Sequence, residues 1–270
     1  MSPAVLASLV LGIVGAIALL WYWVFLPIFI PPQEFFGRQK RFDRAIREVI
    51  AVKSDDPTDR LPAWPPHLST DRLAVITCAE RAVIGGVQYA PQSRKISFPF
   101  GDVPVHLGTA ADLVVRCLRT ISLDLQQMVH HDRTAEPKRY PLGLLRSKKV
   151  DRSMDHRRVA FLFTFVRVFL PSGPVETDTT EAAAAFIPGD LVFWAVGGRD
   201  GHPGVVGIVS DRRDETGMPL VFTLVPEEGH ATAHHRLDEW PILGHFELNI
   251  EALMERFLET YPGTTLEPTP

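Results

Sequence analysis

Two clusters of polar residues in this 270-residue chain have side chains that commonly bind metal ions, namely His130-His131-Asp132 and His234-His235. Imidazole and carboxylate groups are frequent ligands of zinc. Neighbouring residues on a helix point about 100° apart, so adjacent histidines seldom share one ion. The chain also has no HExxH, CxxC or phosphate-loop motif. We therefore interpret both clusters as solvated polar groups and predict no metal site and no cofactor.

The run Asp155-His156-Arg157-Arg158 is a third cluster, and its charges cannot be buried without partners. It forms either a structural network of ion pairs or a site in which Arg157 or Arg158 presents its guanidinium fork to a carboxylate ligand. We favour the structural network. Asp112 and these four residues are the candidate binding residues.

The bulk composition excludes several classes of protein. The formal net charge is -4 and the pI is near 6.2, so no basic excess favours a nucleic-acid partner. Cys78 and Cys117 are the two cysteines, too few for a disulfide-rich scaffold. They form either one disulfide or two buried thiols, and we expect buried thiols.

Residues 1–32 are predicted to be a transmembrane anchor. The segment from Pro3 to Pro32 has no charged side chain, and its apolar run, Val5–Ile30, exceeds the about 20 residues that cross a bilayer. We expect residues 4–30 to contact membrane lipid. A cleaved secretory signal is the disfavoured alternative, because the start of the chain lacks a basic side chain.

Residues 33–68 are predicted to form a juxtamembrane helix and a Pro-rich linker. Five basic side chains follow the anchor closely, and none precedes it. The positive-inside rule therefore places the rest of the chain in the cytoplasm. These side chains are Arg38, Lys40, Arg41, Arg44 and Arg47.

Residues 69–261 are predicted to form one α+β domain with helices packed on an antiparallel sheet. A helix of about fifteen residues, capped by Ser69 or Thr70, has an apolar face of Leu73, Ile76, Ala79 and Val83. A second helix follows Gly108-Thr109 and buries Leu113, Val114, Cys117 and Leu118. Strands are predicted at residues 191–196, 205–210, 220–225 and 241–248, followed by a helix at 249–261. Residues 262–270 are predicted to be disordered.

Several motifs between Asp71 and Phe246 together resemble the DUF1287 family, a branch of the papain-like NlpC/P60 superfamily. Any one of them would be a weak match, but they occur in order over about two thirds of the chain. They are Phe98-Pro99 with Gly101-Asp102-Val103-Pro104, Asp112 with Val114 and Arg116, Asp124-Leu125-Gln126, Asp155-His156-Arg157-Arg158-Val159, Pro188-Gly189-Asp190, Gly207-Ile208-Val209-Ser210-Asp211 and Gly244-His245.

The resemblance implies a cysteine nucleophile at the start of a helix, a histidine base on a strand and a third polar group that orients the imidazole. The usual reaction is amide cleavage in peptidoglycan stem peptides. The family's Gly-Val-Cys-Thr-Asp motif reads Gly108-Thr109-Ala110-Ala111-Asp112 in this chain, which places Ala110 at the nucleophile position. The base position is Val205, and the position of the third group is Thr223.

Because a methyl group cannot attack a carbonyl and an isopropyl group cannot accept a proton, we expect a catalytically inactive domain. Its role would be binding or scaffolding of a peptidoglycan peptide or a protein partner at the cell envelope. The alternative is an active cell-wall peptide hydrolase that uses Cys117 and His202. The resemblance favours a periplasmic domain on the bacterial inner membrane, against the flanking charges, and we adopt the periplasmic placement.

Overall fold

The computed structural model describes residues 68–91, 95–145, 148–177 and 180–268. The predicted anchor at residues 1–32 and nearly all of the segment 33–68 lie outside these ranges. Within them, every helix is too short or too polar to traverse a lipid bilayer.

The first described helix, α1, spans Thr70–Ile84, as the sequence predicted. Ser69 is its N-cap, and the Ser69 side chain accepts a hydrogen bond from the backbone N–H of Arg72. The predicted apolar face is wrong at Leu73, which is 47% exposed, whereas Val75 is buried. Steps of three residues drift by about 60° around a helix, so Leu73 falls outside the face that is centred on Ala79.

Five more helices follow in the described residues, and three of them were not predicted. The predicted second helix is α2, Ala110–Arg119, and its four expected apolar residues are buried. The predicted last helix is α6, Ile250–Thr260. The unpredicted helices are α3, Leu125–Ala135, α4, Val159–Phe169, and the short α5, Thr180–Ala184. Turns of 3-10 helix occur at Pro137–Arg139, Leu142–Leu144 and Asp155–Arg157.

The described strands are β1 Gln88–Tyr89, β2 Leu107–Gly108, β3 Leu191–Trp194, β4 Val205–Arg213, β5 Pro219–Leu224, β6 Ala231–His234 and β7 Ile242–Phe246. Five of them form an antiparallel sheet with the order β6-β5-β4-β3-β7. Four strands of this sheet were predicted, and β6 was missed. A separate parallel pair, β1 with β2, precedes α2. The prediction of an α+β fold is therefore confirmed.

Helices cover the sheet and enclose one continuous hydrophobic core. Helix α2 packs on β4 and β5, and α4 packs on β7 and α6. All four residues of Leu191–Trp194 are 0% exposed, so β3 is covered on both faces. Helix α2 is thereby held against the central strand of the sheet.

The expectation of two free thiols is wrong. Cys78 of α1 and Cys117 of α2 form a disulfide, with the two sulfur atoms 2.13 Å apart. The helices pack side by side, which places the two residues opposite each other. No local sequence pattern marks this pairing, because the cysteines are 39 residues apart.

Residues 262–268, part of the tail that was predicted to be disordered, contact the rest of the domain in the structure. The backbone N–H of Glu267 donates to Oε1 of Gln127 at 2.9 Å, and Nε2 of Gln127 donates to the carbonyl of Glu267 at 3.0 Å. Leu266 packs against the core. The tail is thus fixed to α3 by paired hydrogen bonds that only the folded chain brings together.

Removal of the disulfide should lower the free energy of unfolding by about 3–4 kcal/mol, because a closed loop of this length restricts the unfolded chain. Urea unfolding of the full chain, followed by tryptophan fluorescence with and without reductant, measures the loss. The variant Cys78→Ala/Cys117→Ala is the control, since reductant should not change its unfolding curve. Identical curves for the oxidised and reduced wild-type chain would contradict the bond.

Candidate binding site

Ala110 and Val205, the positions that the resemblance assigns to a nucleophile and a base, hold packed apolar side chains. Ala110 begins α2 directly after its N-cap, Thr109, and Val205 begins β4. Ala110 is 5% exposed and Val205 is 6% exposed. At the third position, the Thr223 hydroxyl donates to the carbonyl of Val206 at 3.1 Å and is therefore committed to the backbone. None of these side chains presents a nucleophile or a free base.

Asp112 and Arg157 form a buried bidentate ion pair. Nε of Arg157 lies 2.6 Å from Oδ1 of Asp112, and a terminal guanidinium nitrogen lies 3.1 Å from Oδ2. Asp112 also accepts from the backbone N–H of Thr109 at 2.9 Å and completes a capping box at the start of α2. The fork of Arg157 is thus occupied by a carboxylate of its own chain.

Asp155 is the centre of a second buried network. Its carboxylate is paired with Arg133, whose side chain is fully buried, and it accepts from the backbone N–H of Asp151 at 2.7 Å. Nε of Arg158 lies 3.6 Å from its other oxygen. Burial raises the pKa of Asp155, while the Asp151 N–H and the two arginines oppose that shift. Arg133 is a partner that sequence reasoning missed, since it lies 22 residues away on α3.

His156 lies in the same region, 2% exposed. Burial, together with the positive charges of Arg119 and Arg157, lowers its pKa from 6.5 to about 3. The imidazole is therefore neutral near pH 7. Asp112 and Arg157 thus form one buried pair and Asp155 is the centre of another network, with His156 buried and Arg158 partly exposed.

A third buried network was not predicted, although two family motifs contain its members. Asp190 accepts from Arg72 at 2.7 Å and faces Nε2 of His245 at 2.9 Å. Nδ1 of His245 faces the carbonyl of Pro174 at 2.8 Å. Both ring nitrogens therefore face acceptors, so this histidine joins β7 to the turn before β3.

A cavity of about 860 Å³ opens beside the Asp155 network, and we call it the basic cavity. Among the described residues, four with cationic side chains and two with carboxylates line it, together with a histidine, a serine and four apolar residues. The charge of Asp155 is already met by Arg133, so positive charge is in excess. Its lining residues are Lys95, Ile96, His130, Leu144, Leu145, Lys149, Val150, Asp151, Arg152, Ser153, Asp155 and Arg158.

The structure places the histidines singled out in the sequence in contacts with aromatic rings and carboxylates. Among the described residues, no group of three His, Cys, Asp or Glu side chains is placed to hold an ion. The ring of His130 meets Phe98 edge-on at 4.8 Å and lines the basic cavity. His235, which directly follows the edge strand β6, is paired with Asp214 and Asp238.

Asp112→Ala should lower the free energy of unfolding by about 3–5 kcal/mol, because it leaves the Arg157 charge buried without its partner. Asp102→Ala is the matched control. It removes the pair with Arg116, which is partly exposed and worth about 1 kcal/mol or less. Urea unfolding of both variants measures the difference. Equal losses would show that the buried pair is no more important than the surface pair.

The low pKa of His156 predicts a loss of stability in acid. The unfolded chain binds a proton at this position below pH 6.5, whereas the folded chain does not bind it until pH is near 3. Protonation of this imidazole therefore does not change the free energy of unfolding above pH 6.5. Below pH 6.5 it lowers the free energy of unfolding by about 1.4 kcal/mol per pH unit, until pH is near 3. The raised pKa of Asp155 acts in the opposite direction but is common to the variant and the wild type.

Urea unfolding at pH 6 and pH 4.5 should therefore show a smaller drop for His156→Gln than for the wild type. His234→Gln, which removes an exposed imidazole, is the control and should behave as the wild type does. A wild-type drop no larger than that of His156→Gln would show that this imidazole is not the cause.

Comparisons with known proteins agree with the motifs on which this site is built. The family DUF1287, described as a domain of unknown function, matches residues 76–248. The chain is 30% identical over 189 residues to the Escherichia coli (strain K12) protein whose name is given as "Uncharacterized protein YijF". That similarity covers 68% of this chain and 87% of YijF. No solved structure is a significant match. The chain belongs to the DUF1287 family.

Proposed function

We propose that this chain is a non-catalytic binding or scaffolding module of the bacterial cell envelope. In this proposal its domain has the papain-like NlpC/P60 framework, and residues 1–32 anchor it in the inner membrane. Its partner would be a peptidoglycan peptide or another envelope protein. The proposal rests on the family, on the replaced positions and on the state of the two cysteines.

The observation that carries the proposal is the disulfide. The chain has two cysteines, and they are bonded to each other. A cysteine peptidase attacks with a thiolate, which a disulfide sulfur cannot supply. The relocated nucleophile of the alternative hypothesis, Cys117, is also 0% exposed. This weighs against an active hydrolase that uses Cys117 with His202.

The disulfide also supports the periplasmic placement. Disulfides persist in the periplasm and outside the cell, and they are rare in the reducing cytoplasm. The basic residues after the predicted anchor favour the cytoplasm, but that rule is statistical. We therefore retain the periplasmic side, where peptidoglycan is available as a partner.

The binding role falls to different residues from those first considered. Asp112, Arg157 and Asp155 are engaged with partners in their own chain, and His156 is almost fully buried. We propose that these four maintain the framework. Of the five candidates, Arg158 is the one that lines the basic cavity with its side chain about one third exposed. Ligand contact is therefore assigned to Arg158 and its neighbours in that cavity.

The full-length chain in detergent should release no product from peptidoglycan fragments, because both reacting groups are replaced. Liquid chromatography with mass spectrometry before and after incubation provides the measurement, with an active cell-wall hydrolase as the positive control. The reaction is run with and without reductant, so that a thiol released from the disulfide is also tested. Turnover that Cys117→Ala abolishes would overturn the proposal.

A further inference from the structure

We infer that the basic cavity binds a short acidic peptide, with a ligand carboxylate at the cations Lys95, Arg152 and Arg158. This inference names the ligand class of the binding module, and in that respect it rests on the proposed function. It concerns a site away from the replaced positions, since neither Ala110 nor Val205 lines the cavity.

The charge of the cavity selects an anion. Lys95 and Arg152 are exposed, and Arg158 is partly exposed, so all three cations are available at the cavity wall. The guanidinium of Arg152 lies 5.6 Å from the ring centroid of Phe98, which orients it by a cation–π contact. Two carboxylates in the lining, Asp151 and Asp155, offset part of this charge, and Asp155 is also paired with Arg133.

Arg158 and Asp155 are partners of each other at the wall of this cavity. Nε of Arg158 lies 3.6 Å from Oδ1 of Asp155, and both atoms are buried. The exposed third of the Arg158 side chain, rather than Nε, is therefore the part that a ligand carboxylate can reach.

The size and the apolar wall favour a peptide over a single ion. A volume of about 860 Å³ lies within the range of sites for organic ligands, roughly 300–1,000 Å³. Leu144, Leu145, Ile96 and Val150 line the wall and would contact aliphatic groups. A phosphate ion would leave these side chains without contacts.

Two of the segments that line the cavity, at residues 95–97 and 152–153, are fastened to each other. Nε2 of Gln126, which is buried, donates to the carbonyl of Ser97 at 2.8 Å and to the carbonyl of Arg152 at 2.9 Å. The backbone N–H of Ile96 donates to the Ser153 hydroxyl at 3.4 Å. The cavity is thus formed before any ligand arrives, which reduces the entropic cost of binding.

Isothermal titration of the full-length chain in detergent tests the inference, with the tripeptide Ala-Glu-Ala as the probe. Its matched control, Ala-Gln-Ala amide, has no carboxylate, and inorganic phosphate tests for a simple anion site. We expect binding of Ala-Glu-Ala, at least tenfold weaker binding of the amide, and weak or no binding of phosphate. Charge-assisted hydrogen bonds of this kind are worth about tenfold in affinity each.

Lys95→Gln/Arg152→Gln and Arg158→Gln should each weaken binding of Ala-Glu-Ala about tenfold or more. Arg256→Gln, an exposed arginine of α6 outside the cavity, should leave affinity unchanged. The double variant changes exposed side chains, so its unfolding midpoint should match the wild type and exclude misfolding as the cause. The inference is overturned by no binding of Ala-Glu-Ala, by equal affinity for phosphate, or by a similar loss in Arg256→Gln.

Mass spectrometry of the tripeptide after titration separates this inference from the proposed function. An intact tripeptide with the expected affinities supports both. A cleaved tripeptide with the same variant pattern supports the cavity but overturns the non-catalytic role. An intact tripeptide that does not bind overturns the ligand class and leaves the absence of catalysis intact.

Discussion

The buried pair between Asp112 and Arg157 is the interaction on which the rest of the site depends. It joins the first turn of α2 to the 3-10 turn that precedes α4, two elements that are 45 residues apart. A bidentate pair fixes orientation as well as distance, and burial makes any loss of one partner costly. The adjacent pair of Asp155 with Arg133 then fixes α3 to the same turn. Helices α2, α3 and α4 are thereby held around one set of charges.

The charged residues of the family motifs are paired in the folded chain, whereas apolar side chains occupy the positions that the resemblance assigns to reacting groups. Ala110 and Val205 stand where the resemblance expects a nucleophile and a base. Ion pairs of this kind maintain the fold whether or not a reaction occurs, and a small apolar side chain packs easily at the start of a helix. Both features are those expected of the non-catalytic module that we propose.

Much of the fold could be predicted where a local pattern carries the information. Capping by Ser69 and Thr109 marked the start of two helices, and four of the five strands in the main sheet were apolar runs between turns. Helix α4 was missed because it is apolar on nearly all sides, as a buried helix is, and shows no alternation between faces. Strand β6 was missed because Ala231–His234 is short and not strongly apolar.

The site was less predictable, because its contacts join residues that are distant in the sequence. The cluster Asp155-His156-Arg157-Arg158 was recognised, but its partners Arg133 and Asp112 were not identifiable as partners before the helices were packed. The disulfide and the basic cavity could not be predicted for the same reason, since each combines residues from different parts of the chain. A single sequence indicates that charges need partners, but it does not say which partners.

The central claim is that a disulfide removes both cysteines from chemistry in a module outside the cytoplasm. The most direct measurement is the thiol state of the full-length chain in its own cells. Cells are quenched in acid, and the chain is denatured and treated with a polyethylene-glycol maleimide before and after reduction. The account predicts no mass shift before reduction and two added groups after it. Two added groups before reduction would contradict it, because they would show free thiols and a reducing compartment.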